Sequence, residues 1–103
     1  MSELPTRDDF AKQLNTKFRA EISAEQTTDM QLTEVTELRK HSRHEYFALI
    51  FIAPIDTPPI QRLYKMHHDA LGEQDIFLAP ISKDERGVVF EAVFNRLVSA
   101  AGD

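Results

Sequence analysis

A mainly β fold, at the margin of α+β, is what this sequence predicts: a compact, mostly antiparallel barrel or sandwich of about six short strands behind one N-terminal helix. Three observations lead there. Apolar and polar residues alternate with period two over several short segments, as with Phe18, Ala20 and Ile22 against Lys17, Arg19 and Glu21. Polar or proline-containing turns separate those segments. No regular alternation of strands with helices is present, which disfavours a parallel sheet. The 103 residues suffice for one domain, with a core over about 6–95 and a frayed tail from 96 to 103.

The helix opens the chain. Thr6 is placed to cap it, Asp9 sits three residues on to complete a capping box, and Asp8 and Asp9 suit the positive end of the helix dipole. Phe10 and Leu14 would share a face and form a small apolar lid. A strand starts at Lys17 and a hairpin loop follows over 24–29. Met30 and Leu32 resume the alternation, but Val35 and Leu38 fall out of phase. A bulge near Thr33 and Glu34 would reconcile them, with a short helix over 33–40 as the competing reading. The run 45–53 is rich in aromatic and β-branched residues and reads as a central strand covered on both faces. Pro54, Pro58 and Pro59 make the next stretch a rigid extended loop. Strands are expected over 63–68, 75–81 and 88–95, with turns at Leu71 and Gly72 and again over 83–87. Tyr64 and Phe77 read as core or half-core aromatics, the Tyr64 hydroxyl needing a partner near the surface. His68 is expected to bond a loop carbonyl, and Glu91 needs a partner if its face is buried.

Composition excludes several classes of function. A net charge of -5 disfavours non-specific phosphate binding, and Arg39, Lys40 and Arg43, the one dense basic cluster, read as a solvated turn. Cysteine is absent, which removes disulfides, thiolate nucleophiles and cysteine-held zinc. The first residues lack the basic start and apolar run of a signal peptide, and no apolar run approaches the ~20 residues of a membrane helix. The expectation is a cytoplasmic protein that binds neither nucleic acid nor membrane.

Catalytic motifs are missing as well. The three glycines, at 72, 87 and 102, cannot build a phosphate loop or a dinucleotide turn. Ser42 lies between His41 and His44, but no nucleophile elbow surrounds it. Two converging carboxylates are not evident, so an enzyme would need a site outside the known motifs. No cofactor is expected.

Five segments taken together resemble a small uncharacterised bacterial domain family. They are Phe47-x-Leu49-x-Phe51-x-x-Pro54; Gln61-x-x-Tyr64-x-x-x-His68; Leu71-Gly72; Phe77-Leu78-x-Pro80-Ile81; and 90–95 (Phe-Glu-Ala-Val-Phe-Asn). Arg62 stands where that pattern has glycine. The resemblance implies a β-rich fold and an association with phage-tail-like or surface assemblies, and it carries no established activity.

Two functional readings follow from the residues. The first is a non-enzymatic protein-interaction or assembly module, touching its partner through Ile55, Pro58, Pro59 and Ile60 with Tyr64 and His68 nearby. A stiff loop loses little entropy on docking. In the competing reading Ile55 and Ile60 cap the barrel end. A protein partner is expected, and a homo-oligomer is compatible with this. The second is a small-ligand or metal-binding domain using His41, His44, His67, His68 and Asp69, since imidazole and carboxylate suit zinc or nickel. Adjacent strand residues face opposite sides, so His67 and His68 could not share an ion within a regular strand.

Overall fold

The computed structural model of the chain describes residues 5–97. It has one short helix, α1 (Arg7–Ala11), and seven strands: β1 (Lys17–Glu21), β2 (Thr27–Val35), β3 (Arg39–His41), β4 (His44–Ala53), β5 (Arg62–His68), β6 (Gly72–Asp84) and β7 (Gly87–Leu97). All pairings are antiparallel. Six strands close on themselves in the order β1-β2-β4-β7-β6-β5, with β5 returning to β1. The fold is therefore a closed antiparallel barrel with a short N-terminal helix. β3 extends the β4 edge beyond it.

Closure depends on one irregularity. β2 pairs first with β1 and then with β4, and its register against β4 slips between Leu32 and Glu34. That is the expected bulge, and it bends β2 from one neighbour to the next. The helix considered over 33–40 does not form. Thr36 instead continues along β4, its N–H donating to the Ala48 carbonyl while its hydroxyl accepts from the Ala48 N–H.

Inward positions supply the core, among them Phe18, Met30, Phe51, Tyr64, Leu78 and Phe90, all essentially inaccessible. A six-stranded barrel is narrow, and its own side chains fill it. α1 closes one end. Its capping box forms as expected between Thr6 and Asp9, and Phe10 is buried against Phe18, Phe47 and Phe94. Leu14 does not join the lid. The helix stops at Ala11, tight turns follow, and Leu14 is exposed.

The opposite end is crossed by residues 54–61. β4 and β5 stand three places apart in a ring of six, so the connection between them must pass over the barrel end. Thr57, 5% exposed, is the side chain that faces inward there. Ile55 and Ile60 remain 52% and 50% exposed, so they do not cap the barrel.

Several boundaries differ from the sequence reading. The β1–β2 loop is shorter, because Thr27 already pairs with Glu21. β6 and β7 extend beyond 75–81 and 88–95, and the expected turn over 83–87 tightens to Glu85 and Arg86. β4 is buried on one face and half-buried on the other. Arg96 and Leu97 continue β7, while the rest of the expected tail, 98–103, lies outside the described residues.

Candidate functional site

The histidines are the residues with the most chemistry, and the fold does not gather them into one cluster. His41 and His44 are register partners across the β3–β4 turn, and His44 Nδ1 lies 3.1 Å from Asn95 Oδ1 on β7. His67 and His68 leave β5 on opposite sides, as strand geometry requires. His67 Nε2 donates to Glu21 Oε2 at 2.7 Å, and its Nδ1 is 3.8 Å from Glu73 Oε1. Lys65 reaches the other Glu73 oxygen at 3.4 Å, and Glu73 holds the ammonium above its ordinary range. The result is a charged row on the outer wall of β1, β5 and β6.

His68 points inward. Its ring lies 4.3 Å from that of Phe18, and Nε2 is 2.8 Å from Thr16 Oγ1. Nδ1 accepts from the Ala70 and Leu71 amides, so the ring bonds loop N–H groups and not a loop carbonyl. Burial pushes its pKa down, against the pull of Asp69. Among the described residues no three His, Asp or Glu side chains gather closely enough to hold a metal.

The 54–61 crossing is built by proline and pinned by Tyr64. The Tyr64 ring is buried in the barrel and its hydroxyl donates to the Ile60 carbonyl at 2.6 Å. The guanidinium of Arg62 lies 4.8 Å from the same ring and donates to the Glu21 carbonyl. Ile55, Pro58, Pro59 and Ile60 are all exposed on this crossing. Tyr64 and His68 are not beside them on the surface. Tyr64 supports the loop from within, and His68 belongs to the opposite, helix-capped end.

The surface feature that sequence reasoning missed runs across the strands. Leu63 on β5 is the register partner of Phe77 on β6, and both side chains point outward. The β6–β7 register ends at the Ala79–Glu91 pair, and Val93 lies two residues beyond it on β7, on the same outer face as Glu91. Val93 in turn pairs with the half-buried Ala48 on β4. Leu63, Phe77 and Val93 are 59%, 51% and 66% exposed. Phe77 is thus a surface residue and not core; Ile76 and Leu78 occupy the inward positions beside it. Glu91, next along the outer face, is only half-buried and faces solvent.

Elsewhere the wall carries an open groove of about 730 Å3 lined by Lys17, Arg19, Thr28, Gln31 and Arg86. Arg86 there is already held by Asp84 at 2.8 Å. Arg39, Lys40 and Arg43 are exposed, as expected of a solvated cluster, but Arg39 and Lys40 belong to strand β3 and only Arg43 to the turn that follows it. No helix among the described residues is long and apolar enough to cross a membrane.

A protein-family model described as Domain of unknown function (DUF6916) matches residues 5–94. The chain belongs to this family. Neither a curated protein nor a solved structure matches it. The DUF6916 match spans α1 and the barrel strands as far as Phe94 in β7, so both the helix-capped end and the 54–61 crossing fall inside the family domain.

Proposed function

We propose that this domain is a non-enzymatic protein-contact module, docking through the apolar row Leu63, Phe77 and Val93 and the adjoining crossing that carries Ile60. The observation that supports this is the row itself. Three large apolar side chains on neighbouring strands are each more than half exposed, whereas isolated surface apolar residues are ordinary. The wall beneath is rigid, because the inward residues of the same strands are packed core, so little order has to be gained on docking. Ile55, Pro58, Pro59 and Ile60 extend the same kind of surface over the barrel end. The partner that fits is a protein with a complementary apolar strip, a second copy of this chain included.

The test is the double variant L63E/F77E, both positions being outward and outside the core. Sedimentation over a range of concentrations and affinity capture from the native host are compared with the wild type. We expect a partner, or self-association, that weakens at least about 30-fold in the variant, the size of a central contact, while the unfolding midpoint is preserved. A partner held equally by both proteins would overturn the reading. So would a wild-type protein that stays monomeric and captures nothing.

A further inference from the structure

We propose that His68 is an acid-sensitive clamp: a neutral imidazole whose protonation releases the turn between β5 and β6 from the helix-capped end of the barrel. Hydrogen-bond accounting carries this. Thr16 Oγ1 lies 2.6 Å from the Gln13 carbonyl and 2.8 Å from His68 Nε2. A carbonyl can only accept, so the one hydroxyl proton goes to Gln13, and Nε2 must supply the proton of the second bond. On the other side of the ring, Nδ1 accepts from the amides of Ala70 at 3.0 Å and Leu71 at 3.2 Å. Amides can only donate. The ring is therefore the Nε2–H tautomer, neutral, with both nitrogens in use.

A second proton has nowhere to go. On Nδ1 it would meet two N–H groups, so the ring has to leave its seat before it can be charged. Leaving breaks the bonds to Ala70 and Leu71, takes Leu71 off the core it packs against, and strips Thr16 of a partner. Thr16 links the α1 turn to β1 and β2, since its N–H donates to Gln13 and its carbonyl accepts from Leu32. One ring thus joins the hairpin turn to the segment behind the helix.

The charges around His68 do not relieve this. A groove of about 210 Å3 beside it is lined by Lys17 and Arg19 of β1, Asp29 of β2, and His67 and Asp69. Asp69 favours the charged ring, while Arg19 and Asp29 lie 3.9 Å apart and largely offset each other. Burial against Phe18 outweighs Asp69 and lowers the folded pKa. In the unfolded chain a histidine takes its proton near pH 6.5. Below that pH the unfolded state binds more protons than the folded one. Stability is full above about pH 6.5 and falls as the pH drops toward and through the folded pKa.

Long-range 1H–15N imidazole spectra of the full chain, followed with amide exchange from pH 7.5 to 5, read both halves of the proposal. We expect His68 as the Nε2–H tautomer, protonating at lower pH than the same residue in a short peptide. Exchange at Ala70 and Leu71, corrected for the intrinsic rate, should rise as the pH falls below the unfolded-chain value, by at most about tenfold for each pH unit. In H68N the amide oxygen keeps an acceptor for the Ala70 N–H but cannot titrate, so the rise should vanish. An Nδ1–H tautomer, protonation at or above the peptide value, or an unchanged rise in H68N would overturn the proposal. Should H68N not fold, the wild-type spectra alone decide it.

Discussion

Tyr64 is used at both ends of its side chain. Its ring fills the barrel beside Phe90, with centroids 5.9 Å apart, and its hydroxyl holds the crossing at Ile60. Y64F keeps the ring and removes the hydrogen bond, which should cost about 1 kcal/mol in urea unfolding. Burial, with the Arg62 charge opposing, raises the phenol above its ordinary range. A raised acid is ionised first in the unfolded chain, so its share of stability is present below about pH 10 and is lost as the pH climbs through the folded value. Y64F should flatten that alkaline limb, and an unchanged limb would place its origin elsewhere. Gly87 is constrained more severely. It sits at φ 141°, and a Cβ there would lie 1.9 Å from the Ala53 carbonyl oxygen. G87A must displace backbone, and a loss of about 3 kcal/mol or more is expected from the clash and the strained φ together.

The elements show which parts of the sequence could be read and which could not. α1, β1, the bulge in β2 and the core of β4 were legible because their signals are local: a capping box, strict alternation, a phase slip, an apolar run. The β3–β4 hairpin was not. Its turn residues are Ser42 and Arg43, with none of the Asn-Gly or Gly-first chemistry that announces a two-residue turn. Ser42 adopts φ 57° and Arg43 stays at negative φ, so the turn demands the left-handed region only at its first position. Glycine suits that position better. S42G should raise the unfolding midpoint, by up to about 1 kcal/mol of stability from relief of the left-handed penalty. A lower midpoint would show that the turn does not limit the hairpin. β6 hid its orientation for a different reason. Ile76, Phe77 and Leu78 are all apolar, so hydropathy does not say which of the two faces is buried. The register settles it, placing Phe77 outward beside Leu63. The apolar row was invisible for the same cause, being assembled from three strands that no single segment reveals.

At the scale of the whole molecule the question is what closes a barrel that the sequence left open between barrel and sandwich. The decisive pairing, β2 with β4, joins segments that a period-two pattern cannot connect. Once closed, the barrel has two ends with different stoppers. One is covered by the 54–61 crossing, whose largest side chains face out, so I55S/I60S should change stability by no more than about 0.5 kcal/mol, as surface substitutions do. The other is plugged by α1, a helix of five residues, too short to be stable unaided. Its stability must come from Phe10, which is 1% exposed and meets three other phenylalanine rings within 6.4 Å. Removing that ring opens a cavity among Phe18, Phe47 and Phe94 and takes away the helix's only buried anchor. F10A is therefore expected to cost about 3–5 kcal/mol in urea unfolding, the range for a deleted core phenylalanine. A loss below about 1 kcal/mol would mean that the aromatic end collapses to fill the space, and that α1 covers the barrel without supporting it.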